Sequence, residues 1–160
     1  MIDKKVLDAC CGCKMMWFDK YDNRVLFADK RFEEKVMSKY KRGNKRCDPN
    51  IIYDFRKMPF ANNTFYHVVF DPPHVKNIST DSVLGFSYGS LDADNWQDDL
   101  RKGFNECYRV LKKGGTLIFK WNEVNIPLSS ILKIFNKKPL YGHRSGKKMK
   151  THWVAFFKDD

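Results

Sequence analysis

The sequence contains no apolar run approaching the ~20 residues that a membrane-spanning helix needs. Its amino terminus, Met1-Ile2-Asp3-Lys4-Lys5, leads into a short strand-like stretch and lacks the apolar centre of a secretory leader. These absences predict a cytoplasmic protein. Acidic residues are in short supply: 19 Asp and Glu stand against 30 Lys and Arg, a formal charge of +11. Such an excess favours a polyanionic partner, nucleic acid above all. Internal repeats, low-complexity segments and linkers are absent, so the 160 residues predict a single domain. The five cysteines, Cys10, Cys11, Cys13, Cys47 and Cys107, are odd in number, and three of them fall within four positions. That excludes the disulfide framework of a small secreted domain.

Apolar residues make up 42% of the chain, including 13 Phe, 7 Tyr and 4 Trp, enough to bury a substantial core. Strands and helices alternate along it. Val6-Leu7-Asp8-Ala9 reads as a strand running into a turn at Cys11-Gly12. Arg24 to Ala28 reads as a second strand, closed by Asp29. The spacing of Phe32, Val36 and Tyr40 predicts a short helix over Phe32 to Lys41. Ile51-Ile52-Tyr53 is a third strand ending at Asp54. Phe65 to Phe70 is almost wholly apolar, as a strand buried on both faces should be, and Pro72-Pro73 stop it. Residues 75 to 93 read as a long loop. A helix over about Asp94 to Lys113 carries the stripe Leu100, Phe104, Tyr108 and Leu111 and ends at Gly114-Gly115. Thr116 to Trp121 is the next strand, Ile126 to Phe135 a helix, and Pro139 to Tyr141 and His152 to Phe157 the last strands. This order predicts an α/β fold, a mostly parallel sheet with helices on both faces.

In such sheets ligands bind beyond the carboxyl ends of the strands. Four successive strands end in an acid there: Asp8, Asp29, Asp54 and Asp71. Any one of them alone would read as a turn former or helix cap; four at equivalent positions form a directional pattern. The turn after the first strand, Ala9-Cys10-Cys11-Gly12-Cys13, has small residues that let the backbone approach a ligand closely. With one glycine it is neither a dinucleotide fingerprint nor a P-loop. Asp29 lies 21 positions after Asp8, a spacing that suits an acid bonded to a ribose diol.

These motifs resemble the class I S-adenosylmethionine-dependent methyltransferases, in their amino-group branch, over nearly the whole chain. The resemblance implies a Rossmann-like, seven-stranded sheet with an antiparallel last strand and S-adenosyl-L-methionine as cofactor. Val6 to Gly12 resembles the first motif, which assigns Asp8, Ala9, Cys10, Cys11 and Gly12 to the methionine part of the cofactor. Asp29 matches the acid that holds the ribose. Asp54 and Phe55, within Asp54 to Phe60, resemble the segment that reads the adenine. Asp71-Pro72-Pro73-His74 resembles the (Asp/Asn)-Pro-Pro-aromatic catalytic motif. Leu111 to Leu117 resembles the helix-to-strand passage of the fold. The chain departs from the family at Cys13, where a second glycine is usual, and at His74, which replaces Tyr, Phe or Trp. Its short length and Ala-Cys-Cys-Gly turn are similar to small phage and prophage methyltransferases.

An exocyclic amine of a nucleobase is a poor nucleophile, because its lone pair is delocalised into the ring. In the reading the resemblance implies, Asp71 and the Pro72 carbonyl accept its N–H groups, Pro73 stiffens the backbone and His74 stacks on the base. Alignment of the amine with the cofactor methyl supplies most of the rate, and no metal is required. The base has to be unpaired or flipped out of a duplex. Phe86 and Tyr88, in the loop after the motif, and Lys120, Trp121 and Asn122, at the end of the fifth strand, are the expected substrate contacts, with Trp96 a further stacking candidate. Two acid-free stretches, Lys35 to Arg46 and Lys137 to Lys150, hold six positive side chains each and suit a phosphate backbone; the plainer reading is a solvated face. Cys10, Cys11 and Cys13 read as small packing residues in preference to metal ligands, and Trp17, Phe18 and His67 as core.

The expected activity is therefore methylation of adenine N6, or in second place cytosine N4, in DNA or RNA. No separate target-recognition domain is visible, so selectivity is weak or a partner subunit supplies it. No membrane partner is expected. Two readings stay open beside this one: a methyltransferase of a protein or small-molecule amine or amide, and a catalytically weak nucleic-acid-binding module that retains the fold.

Overall fold

A computed structural model describes residues 4–36, 44–79, 81–145 and 147–159. The chain runs β1 (Val6–Asp8), β2 (Val25–Asp29), β3 (Glu33–Val36), β4 (Asn44–Cys47), β5 (Ile51–Ile52), β6 (Phe65–Phe70), α1 (Val83–Tyr88), α2 (Trp96–Val110), β7 (Leu111–Asn122), α3 (Leu128–Phe135), β8 (Tyr141–Ser145) and β9 (Thr151–Phe157). Seven strands form one sheet in the order β5-β2-β1-β6-β7-β9-β8. Pairings from β5 to β7 are parallel; β9 runs antiparallel to both β7 and β8. This is the Rossmann-like methyltransferase arrangement, with the order reversing between β1 and β6, where ligand crevices form in such sheets. No helix among the described residues is long and apolar enough to cross a membrane.

β6 lies near the middle of the sheet because its sequence, FYHVVF, is apolar on both faces toward its carboxyl end. Helices α2 and α3 cover one face. Leu100, Gly103, Phe104, Cys107 and Val110 recur at three- and four-residue spacing along α2 and are buried there. Phe104 stacks on Phe135 of α3 with ring centroids 4.0 Å apart, and Phe119 and Phe156 of the sheet meet the same pair edge-on at 4.9 Å. Each such ring contributes about 1.5–3 kcal/mol through burial. Gly103 allows a close approach: a Cβ there would lie 2.5 Å from Phe55 and 2.8 Å from Phe70. Lys158 Nζ donates to the carbonyls of Tyr108 and Leu111 at 2.9 and 2.8 Å, satisfying groups that the end of α2 leaves open.

The opposite face is covered differently. Among the described residues the connection from β1 to β2 is a series of turns with no helix. It folds back so that Trp17 packs edge-on against Phe27 at 5.1 Å. Phe18 does not join the core as its sequence context predicts; it is fully exposed.

Three elements differ from the sequence expectation. The helix expected over Phe32 to Lys41 is replaced at residues 33–36 by β3, and residues 37–41 lie outside the described residues. β3 pairs antiparallel with β4, setting Glu34 opposite Arg46, and cross-strand pairing outweighs three apolar positions at helical spacing. The loop over 75–93 contains α1, capped by the Ser82 side chain, which accepts from Gly85 N at 2.9 Å. Helix α2 ends at Val110 and not at Gly114-Gly115. Those glycines sit inside β7, where the pairing register with β6 shifts and Gly114 takes φ +76°.

Candidate functional site

Three of the four acids at the strand ends, Asp8, Asp29 and Asp71, converge. β1 leaves the sheet through Ala9, whose N–H donates to Val69 O at 2.9 Å, and Cys11, whose N–H donates to Ala28 O at 2.7 Å. The turn is thereby held over the carboxyl end of β2. Gly12 N–H donates to Asp29 Oδ2 at 2.9 Å and Arg31 N–H to Asp29 Oδ1 at 3.0 Å. Gly12 has φ +49°, and a Cβ on it would lie 2.7 Å from the Ser87 carbonyl of α1. Helix α1 is tied down over the turn by Arg31 Nη1, 2.9 Å from Phe86 O, and by Lys45 Nζ, 2.5 Å from Ser87 Oγ.

Between these elements lies a cavity lined by the turn Ala9 to Cys13 together with Asp29, Phe55, Asp71, Pro73 and Tyr88. Its enclosed room is about 40 Å³, space for a few water molecules, because α1 lies so close. Tyr53, Arg31 and Ser87 also line it and were not singled out in the sequence. Tyr53 closes the β5 strand and Arg31 follows Asp29 by two positions, the only signals that pointed to them.

Two polar atoms at this cavity are buried with no partner among the described residues: Asp71 Oδ1 and the Tyr53 hydroxyl. The other Asp71 oxygen, Oδ2, accepts from Lys120 Nζ at 2.5 Å. Burial pushes the Asp71 carboxyl up, and the Lys120 charge opposes that rise. Asp8 is fully buried beneath the turn, where its oxygens accept from Trp17 Nε1 at 2.7 Å and Cys10 N–H at 3.4 Å. Burial raises its pKa to about 7; the hydrogen bond from Trp17 opposes the rise, and the neighbouring charges of Asp71 and Asp29 add to it. Burial also pushes up the thiols of Cys10, Cys11 and Cys13, so they stay neutral as compact packing groups.

The expected residues are not all brought together. Asp54 stands outside the cavity, beyond Phe55, where Arg56 Nη2 is 2.5 Å from its Oδ2 and Arg56 Nη1 reaches Asp99 at 2.8 Å. The Arg56 hydrogen bonds hold the Asp54 carboxyl below the usual carboxylate range. Pro72 is buried. His74 stands 5.7 Å from the Tyr88 ring, and its Nδ1 is buried without a partner among the described residues. Burial lowers its pKa, leaving a neutral imidazole. Asn122 donates to Thr151 Oγ1 at 3.1 Å at the end of β7. Trp96 begins α2 with Lys76 over its ring.

Two expected substrate contacts are corrected. Phe86 is buried against Cys13 on the inner side of α1, so it anchors that helix and presents no free face to a base. Trp121 is fully buried, with Nε1 donating to Ile126 O at 2.9 Å; alternation along β7 turns it into the helix-covered face, while Lys120 faces the opposite side.

No protein-family model matches the sequence, and no curated protein matches it. Solved structures match its fold. The PH0226 protein of Pyrococcus horikoshii OT3 superposes with a TM-score of 0.62 at 14% identity, over 96% of this chain and 81% of its own. A TehB-like SAM-dependent methyltransferase of Corynebacterium glutamicum superposes with a TM-score of 0.59 at 14% identity, over 97% of this chain and 80% of its own. At this identity the likeness establishes the architecture: the chain has a Rossmann-like methyltransferase fold.

Proposed function

We propose that this chain is a single-domain S-adenosyl-L-methionine-dependent methyltransferase acting on an exocyclic amino group of a nucleobase, adenine N6 ahead of cytosine N4, in unpaired or flipped-out DNA or RNA. The observation that carries the reading is the state of Asp71. Asp71 lines the cavity at the carboxyl end of β6, ahead of two prolines; one of its oxygens is held by Lys120 and the other is buried without a partner among the described residues.

The residues fit the cofactor by their chemistry. S-adenosylmethionine carries a positive charge, and three buried or nearly buried acids, Asp8, Asp29 and Asp71, stand together, the latter two close enough to raise the proton affinity of Asp8. A cation about 4 Å from a carboxylate gains about 4 kcal/mol at an effective dielectric near 20. Asp29 retains lone pairs for a ribose diol beyond the two backbone N–H groups it accepts. The neutral His74 adds no positive charge beside a cationic ligand. Phe55 and Tyr53 supply apolar walls for an adenine, while Asp54 is engaged with Arg56, so Phe55 carries more of that role than Asp54. A nucleoside-sized ligand requires α1 to move from its present contact with Gly12. Its tether to the turn is a few polar contacts and Phe86.

The cofactor, when bound, supplies an activated methyl group. The chain's own part is to hold the acceptor nitrogen. Asp71 Oδ1 accepts one N–H of the amine and the Pro72 carbonyl the other, drawing the nitrogen toward a tetrahedral shape and freeing its lone pair. Lys120 opposes the rise in the Asp71 pKa that burial causes and holds one of its oxygens. Pro72 and Pro73 hold the backbone so that neither acceptor rotates away. The amine becomes acidic only after it gains the methyl, so its proton leaves last and no strong base is needed.

The test is transfer of labelled methyl from S-adenosylmethionine to single-stranded DNA, duplex DNA and total RNA, followed by nucleoside mass spectrometry. Methyladenine or methylcytosine is the expected product. Label incorporated into protein or small amines, with none in nucleic acid, contradicts the proposal.

A further inference from the structure

The sheet face that carries no helix among the described residues forms a track that begins at Asp71. Register places Val69, Ile118, Ala155 and Tyr141 in one row across β6, β7, β9 and β8. Two residues farther along each strand, on the same face, come Asp71, just past the end of β6, then Lys120, Trp153 and His143. Lys120, the partner of Asp71, sits 5.6 Å over the Trp153 ring, and Trp153 Nε1 is pinned by Ser145 Oγ at 3.0 Å. Beyond Trp153 the two rows form the floor of a groove of about 400 Å³, walled by Trp17 and Phe18 from the β1–β2 connection and by Tyr141 from the edge strand. Tyr141 is two-thirds exposed and Phe18 entirely so. No acidic side chain lines the groove among the described residues, and its histidines are His67 and His143.

We infer that this groove binds single-stranded nucleic acid, taking the unpaired nucleotides that flank the target base; the inference rests on the proposed nucleobase substrate. Three features select this occupant. Aromatic rings standing in solvent match the π-faces that every unpaired base offers, whereas a second copy of a chain bearing +11 would bring like charge against like. The lining is free of acid and belongs to a chain rich in base, which suits phosphates passing at its rim. The groove also adjoins the candidate active site, since Trp153 in its lining lies beneath Lys120, the partner of Asp71. A strand lying here delivers one base to Asp71 and stacks its neighbours on Tyr141 and Phe18.

The test is fluorescence anisotropy of a labelled, mixed-sequence single-stranded deoxyoligonucleotide of about 12 nucleotides, with the full chain and the double variant Phe18→Ser/Tyr141→Ser. Both side chains stand in solvent, so the variant keeps its core; circular dichroism and S-adenosylmethionine affinity check this. We expect the variant to bind the oligonucleotide about tenfold or more weakly, as the loss of base stacking implies. Phe18→Tyr/Tyr141→Phe is expected to retain wild-type affinity. Equal affinity of the serine variant and the wild type, or no binding by the wild type, overturns the inference. So does a wild-type dimer in sedimentation that the serine variant converts to monomer, since the face would then join two copies. Aromatic-dependent binding of an oligonucleotide that never acquires a methyl group upholds the groove and contradicts the proposed activity. Unchanged methylation of the oligonucleotide by the serine variant does the reverse.

Discussion

Lys120 Nζ donates to Asp71 Oδ2 at 2.5 Å across the carboxyl ends of β6 and β7, while Asp71 Oδ1, on the same carboxylate, is buried without a partner among the described residues. The cation and the vacant acceptor are two halves of one arrangement. Burial pushes this acid toward its protonated form, a poorer acceptor for an amine. Lys120 opposes that shift from one oxygen and leaves the other without a partner among the described residues.

Removing the cation therefore has a definite sign. Lys120→Met takes away the contribution that lowers the Asp71 pKa and leaves burial unopposed. The ionised fraction at a given pH falls, so the acid limb of the pH–rate profile should move upward, with kcat falling more than cofactor affinity. Lys120→Arg should restore much of the wild-type profile. An unmoved acid limb in Lys120→Met would remove Lys120 from this role.

The raised Asp8 pKa predicts that cofactor binding is coupled to protons. Its folded pKa of about 7 lies above the unfolded value near 3.9. Between those values the folded state holds a proton that the unfolded state has lost, so Asp8 lowers stability progressively as pH rises from about 4 to about 7, by about 4 kcal/mol in all. A cation bound nearby favours the carboxylate and should expel that proton. Calorimetry of S-adenosylmethionine binding near pH 6, in buffers of different ionisation enthalpy, should therefore show proton release. Asp8→Asn should abolish that release and remove the decline in stability. Identical heats in every buffer would contradict the coupling.

Asp29 is the acceptor toward which the backbone of the first turn is organised. Asp29→Asn exchanges a charged acceptor for a neutral one and places an NH₂ against N–H donors from Gly12 and Arg31. Losing charge-assisted bonds worth about 1.5–3 kcal/mol should weaken cofactor binding about 10- to 100-fold in titration calorimetry. Unchanged affinity would show that Asp29 only holds the turn.

Gly12→Ala tests the contact between the turn and α1. The new Cβ would meet the Ser87 carbonyl at 2.7 Å, on a backbone with φ +49°. The left-handed conformation alone costs about 1–2 kcal/mol. The melting temperature should fall by roughly 2–8 °C, and limited proteolysis should cut within α1 faster than in the wild type. A variant with wild-type melting and cleavage would mean that α1 is not clamped on the turn.

Much of this site was legible in the sequence because strand ends carry their own signals. Phe65 to Phe70 is almost wholly apolar and stops at Asp71-Pro72-Pro73, so both a central strand and the position of its terminal acid follow from local chemistry. The same holds for Asp8 and Asp29, each one step past an apolar run. Tertiary relationships were not legible. Phe86 and Trp121 read as cleft aromatics because their neighbours in sequence lie in the cleft, yet helix phase and strand alternation turn both toward packed interiors. β3 was hidden because Phe32, Val36 and Tyr40 mimic a helical stripe, and only pairing with residues 44–47 reveals the strand. The groove on the open face escaped entirely. It exists because the β1–β2 connection is not helical, and because β8 and β9 bring Tyr141 and Trp153 alongside Ile118, residues far apart in the chain.

The central claim is that Asp71 holds an exocyclic nucleobase amine for methylation. The most direct measurement is the initial rate of labelled methyl transfer to single-stranded nucleic acid by the wild type and by Asp71→Ala, with S-adenosylmethionine affinity determined for both. The account predicts methyladenine or methylcytosine from the wild type, a rate loss of about 100-fold or more in Asp71→Ala, and little change in cofactor affinity. Transfer that survives in Asp71→Ala at the wild-type rate would contradict it.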